Sequence, residues 1–91
     1  MDLKKLRQEI DKVDRDLIGL LRRRKSLAEK VGIFKKKHSL PIFSKARELE
    51  IKKKLNHFAK KHGLRQTFLL KIWKILIDEA KVIEKKIKIK K

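Results

Sequence analysis

A chain of 91 residues has room for one core, so residues 1–91 read as a single domain; burying only a modest share of its surface alone, it would gain from a partner subunit. The absence of cysteine excludes disulfides, thiolate metal sites and a cysteine nucleophile. A formal charge of +18, from 29 Lys and Arg against 11 Asp and Glu, points to an anionic ligand rather than a cationic one.

Nucleic acid is the obvious polyanion, yet there are few aromatics for stacking, no Gly-rich RNA-binding signature and no zinc spacing. Most lysines read instead as solvated helix faces, as in heat-adapted proteins rich in charge. Charged residues recur from Asp2 onward, unlike a signal peptide. No apolar run approaches the roughly 20 residues that span a bilayer. A cytoplasmic protein is expected, without membrane contact and without a specific nucleic-acid partner.

The first predicted element is a long helix over residues 2–37. Leu3, Leu6, Ile10, Val13, Leu17, Leu20, Leu27, Val31 and Phe34 recur at spacings of three and four, a helical stripe of near-heptad regularity. Asp2 is placed to cap it. Ser39–Pro41 is placed to end it, because the residue before proline disfavours αR. Gly19 and Gly32 cost about 1 kcal/mol each relative to Ala, less than the stripe supplies. Such a helix would run about 54 Å, against a diameter of about 30 Å for a compact globule of this size. Two shorter helices of the same chain cannot cover it. A second copy is expected along it, in a two-fold dimer.

The second helix is predicted over 44–62, from Ser44 as N-cap to Gly63 as terminator, with Ile51, Leu55, Phe58 and His62 facing inward. The third is predicted over 65–87, with Phe68, Leu69, Ile72, Trp73, Leu76, Ile77, Ala80, Ile83 and Ile87 apolar. The fold class is therefore all-α, with three helices per chain.

Charged residues stand where this pattern expects apolar ones. Arg24 continues the first stripe between Leu20 and Leu27, and Lys35 follows about three turns later on the same face. Glu48 precedes Ile51 and Leu55 on helix two at spacings of three and seven. Glu84 follows Ala80 and Ile77 on helix three at spacings of four and seven. Each alone could snorkel at the edge of its stripe. Four together, on three helices, point to a polar site inside a bundle. His38, His57 and His62 lack ligand spacing with acidic partners, so a metal is not expected. Trp73 reads as packing.

These residues resemble the all-helical chorismate mutases of the AroQ type. Leu6-Arg7 opens the long helix, LLRRRKSLAEKVG follows over 20–32, and then Lys35. Pro41-Ile42 leads to Arg47-Glu48, and Ile77-Asp78-Glu79 leads to Glu84. The correspondence runs almost end to end. It implies an intertwined homodimer with two sites, in which Arg24, Lys35, Arg47, Glu48 and Glu84 of one chain meet Arg7 of the other. Spacing agrees on the last point, because Arg7 and Arg24 would stand roughly 25 Å apart along one helix and cannot grip one small molecule.

The implied reaction is the rearrangement of chorismate to prephenate, an intramolecular pericyclic shift needing no nucleophile or cofactor. By this resemblance, Arg24 and the partner's Arg7 clamp the two carboxylates. Lys35 donates to the ether oxygen, and Glu48 accepts from the ring hydroxyl. Arg47 orients the start of helix two, or is merely a solvated first-turn arginine. Glu84 must carry its proton to donate to the ether oxygen, where a carboxylate would repel developing charge. Two positions depart from the pattern. Ser44 stands where Asp is common, yet it can still cap and offer its backbone N–H. Ala80 stands where a Ser often contacts a carboxylate, a loss of about 1 kcal/mol in binding. Two alternatives remain: isochorismate–pyruvate lyase on the same scaffold, and a non-enzymatic basic bundle that binds nucleic acid.

Overall fold

The computed structural model describes residues 2–88, and they form three helices: α1 (Leu3–Lys37), α2 (Lys45–His62) and α3 (Gln66–Lys85). The all-α expectation holds, with each boundary within two residues of its predicted place. Asp2 caps α1 by accepting from the Lys5 N–H at 2.8 Å, and Ser44 caps α2 by accepting from the Arg47 N–H at 3.2 Å. Each satisfies one of the donors that a helix start leaves open. Arg65 precedes α3 without a side-chain cap.

The helix ends show how the turns are made. Ser39 adopts φ 53°, a left-handed conformation that costs a non-glycine residue roughly 1 kcal/mol. It lets the Leu40 N–H reach the Lys35 carbonyl at 2.8 Å and the Ser39 N–H reach Lys36 at 3.4 Å. This is a Schellman closure, so α1 stops through backbone hydrogen bonds and not through the proline rule alone. Gly63, at φ 64°, ends α2 in the same way, with the Leu64 N–H on the Ala59 carbonyl at 2.9 Å. Helix α3 stops at Lys85, short of the predicted 87. There the Ile87 N–H turns back to the Glu84 carbonyl at 3.3 Å, which seats Ile87 against Gly32.

Helix α3 lies between the other two and packs against both, while α1 and α2 do not pack on each other. One contact zone joins Leu55 and Ala59 of α2 to Leu69 of α3, flanked by Ile51, Leu70 and Trp73. The predicted inward face of α2 needs correction beyond Leu55, because Phe58 and His62 are exposed and Ala59 is buried instead. Ile51, Leu55 and Ala59 form an i, i+4 row, and the small Ala59 side chain lets the two helices approach closely. Phe58 lies about 100° round the helix from it. The other contact zone buries Ala28 and Gly32 of α1 against α3.

Most of α1 has no cover. Every described residue before Arg24 is exposed, including Leu3, Leu6, Ile10, Val13, Leu17 and Leu20 of the apolar stripe. The described residues extend over 58 × 28 × 15 Å with a radius of gyration of 16.6 Å, well above the roughly 12 Å of a compact chain this long. Among the described residues, no helix is long and apolar enough to cross a membrane.

Candidate active site

The last four turns of α1, the loop into α2, the first turns of α2 and the C-terminal half of α3 line a cavity of about 300 Å³. Of the residues singled out in the sequence, it brings together Arg24, Lys35, Ser44, Arg47, Glu48, Ala80 and Glu84, between apolar walls from Leu27, Val31, Ile42, Ile51 and Ile77. Arg7 is absent from this group. It sits exposed near the start of α1, about 25 Å from Arg24 along the helix.

Lys35 is fixed by the way α1 ends. Its carbonyl receives the Leu40 N–H, which swings the following loop back across the helix end. The Ile42 carbonyl then accepts from the Lys35 ammonium at 2.7 Å. Across the cavity the same Nζ lies 2.7 Å from Glu84 Oε1. Glu84 is 6% exposed, the one buried charged residue among those described. Desolvation offsets much of the attraction in such a pair, so stability alone is a poor reason for it.

Gly32 explains how Glu84 comes so close. A Cβ at this position would stand 3.1 Å from the Glu84 Cα, 3.4 Å from its Cγ and 2.9 Å from Ile87 Cγ1. The glycine that weakens the helix in a propensity count is therefore what admits α3 beside Lys35. Gly19, by contrast, has open space around it.

Arg24 is half-buried and donates to the Leu76 carbonyl of α3 at 3.3 Å. That bond satisfies one N–H and leaves the rest of the guanidinium fork free to serve a ligand. Arg47 lines the cavity from the first turn of α2 while its guanidinium turns toward Glu50, Nη1 to Oε1 2.6 Å. Lys54 first, and Arg47 after it, hold the Glu50 carboxyl below the usual carboxylate range. Ala80 contributes a methyl wall and no donor.

Sequence reasoning missed Lys81. It lines the same cavity, its Nζ 3.4 Å from Glu48 Oε2 and 4.7 Å from the centroid of the Phe43 ring. The signal was its register, four residues after Ile77 and three before Glu84, but one lysine in so basic a chain looks like solvated surface. Glu48 Oε2 and Glu84 Oε1 are both shielded from solvent, and neither receives an aligned hydrogen bond among the described residues. Each faces only an ammonium group. The arrangement presents cations on several sides, two carboxyl groups aimed inward and apolar walls, which suits a compact anion with a few hydrogen-bonding groups.

Known proteins resemble this chain in sequence. Residues 6–85 match the family described as chorismate mutase type II. The chorismate mutase of Methanocaldococcus jannaschii is 31% identical over 83 residues, covering 91% of this chain and 84% of that protein. The 4-amino-4-deoxychorismate mutase of Streptomyces venezuelae is 30% identical over 83 residues, covering 91% of this chain and 81% of its own. A bifunctional chorismate mutase/prephenate dehydratase of Aquifex aeolicus is 38% identical over 91 residues, but the chain spans only 25% of that protein's length. With every wall of the cavity, and all but the first three residues of the three helices, inside the matched residues, the chain belongs to the type II chorismate mutases.

Proposed function

We propose that the chain isomerises chorismate to prephenate in a site that a second copy of the chain completes. The observation that carries this reading is the pair of shielded carboxylate oxygens, Glu48 Oε2 and Glu84 Oε1, in one cavity with Arg24, Lys35 and Arg47. Both oxygens face a lysine ammonium, Glu84 Oε1 at 2.7 Å and Glu48 Oε2 at 3.4 Å, and such half-buried ion pairs add little stability by themselves. An anionic ligand with a hydroxyl would engage the cations and the remaining carboxyl acceptor sites together.

The reaction breaks an ether C–O bond as a C–C bond forms within one molecule, so the protein's work is to hold a reactive conformer and stabilise charge as it develops. Arg24 grips one carboxylate, and Arg7 of a second copy grips the other. Lys35 has three N–H donors; with one spent on Ile42, it turns another to the ether oxygen. Glu84, protonated, donates to the same oxygen from the opposite helix. Glu48 accepts from the ring hydroxyl, Ser44 offers its backbone N–H, and Arg47 supports the start of α2. Leu27, Val31 and Ile77 exclude water and strengthen each of these interactions.

The test is direct. Chorismate incubated with the chain should lose its absorbance while prephenate accumulates and no pyruvate is released. Pyruvate release from isochorismate without mutase turnover would assign the lyase reaction instead, and inactivity on both would overturn the proposal.

A further inference from the structure

We propose that Lys81 selects the substrate's ring substituent: paired with Glu48, it favours a neutral hydroxyl and disfavours an ammonium group at the same ring position. This rests on the mutase reading above, in which Glu48 faces that substituent.

The two side chains meet across the junction of α2 and α3. The Lys81 Nζ lies 3.4 Å from Glu48 Oε2, and both side chains are 26% exposed. The ammonium also stands 4.7 Å over the Phe43 ring, two residues before α2 begins, so a carboxylate and an aromatic face hold it from two directions. The pair forms part of the wall between the site and a groove of about 480 Å³ that runs between α2 and α3 toward Trp73.

A lone carboxylate in a half-buried site would favour an ammonium over a hydroxyl, since a charge-assisted hydrogen bond is roughly twice as strong as a neutral one. Lys81 reverses that order. Its charge already answers Glu48, and a second cation docking on the same carboxylate meets like-charge repulsion at short range. A hydroxyl still finds an acceptor, because a carboxylate offers two oxygens with about four lone-pair sites and Lys81 faces one of them, Oε2. Lys35, Arg24 and Arg47 line the same cavity and add to the penalty on any cationic ring group, but among the described residues only Lys81 pairs with Glu48.

The experiment compares kcat/KM for chorismate and for its ring-amino analogue, 4-amino-4-deoxychorismate, in the wild-type chain, Lys81→Met and Lys81→Arg. Lys81→Met keeps most of the stem and removes the charge; Lys81→Arg keeps the charge. The wild type and Lys81→Arg are expected to prefer chorismate. In Lys81→Met the preference should shift toward the amine by about tenfold or more, in keeping with the loss of one close charge contact. A merely structural tie between α2 and α3 would, on mutation, slow both substrates alike and leave their ratio unchanged. An unchanged ratio in Lys81→Met, with chorismate turnover retained, overturns the proposal alone. A wild-type chain inactive on both substrates overturns the mutase reading and this inference with it. Should Lys81→Met fail to fold, Lys81→Gln supplies the neutral variant, and the same ratio decides.

Discussion

Lys35 and Glu84 approach each other from α1 and α3 to 2.7 Å, and in the proposed mechanism both address one substrate oxygen. Two donors on that oxygen require a proton on Glu84, because an ionised carboxylate would repel the charge that builds there. Glu84→Gln supplies a permanent N–H donor of nearly the same size, so it should retain activity. Glu84→Ala should lose about 10²–10³-fold in kcat, the usual cost of one such donor. Steady-state kinetics with chorismate check both. An unimpaired Glu84→Ala would remove Glu84 from the mechanism.

At the level of the helices, α3 is the element on which the site depends, and Gly32 sets its distance from α1. Gly32→Ala would gain about 1 kcal/mol of helix propensity if nothing else changed. Here the added methyl would press on the Glu84 Cα at 3.1 Å, and backbone yields only by moving the helix. In the proposed mechanism, displacing Glu84 by even part of an ångström is costly. Gly32→Ala is expected to lower kcat about tenfold or more, with a smaller change in KM and with the helical content retained by circular dichroism. Unchanged kcat would mean that α3 accommodates the methyl without moving Glu84. The loop between α1 and α2 has a comparable role, since the turn at Ser39 returns Ile42 to the Lys35 side chain.

Across the whole molecule, the exposed stripe from Leu3 to Leu20 and the distance of Arg7 from the cavity would have one physical answer in the two-fold dimer proposed above. Antiparallel first helices would cover each other's apolar faces and carry Arg7 of each chain to the site of the other. Arg7→Ala and Arg24→Ala should each be nearly inactive. Mixed together with subunit exchange, they should regain about a quarter of wild-type activity, because half the dimers are then mixed and each holds one intact site of two. Failure to recover, with exchange confirmed by mass, would show that Arg7 does not cross between chains.

The sequence by itself determined the elements and most of the site. Capping chemistry at Asp2 and Ser44 and the left-handed Gly63 are local effects, readable within a few residues. The three-four periodicity located Arg24, Lys35, Glu48 and Glu84 as charges in apolar register, because side-chain direction along a helix follows from spacing alone. Only the tertiary structure decided which neighbour each of these residues meets. Ala59 replaced Phe58 on the buried face of α2, in one row with Ile51 and Leu55 against Leu69 of α3, and no single helix encodes which row a neighbour covers. Gly32 changed from a weak point of α1 to the surface against which Glu84 rests. Lys81 became part of the site once α2 brought Glu48 and Phe43 to it. Periodicity reports the direction of a side chain from its own helix axis, whereas contact depends on where a second axis passes, and packing between distant parts of the chain sets that.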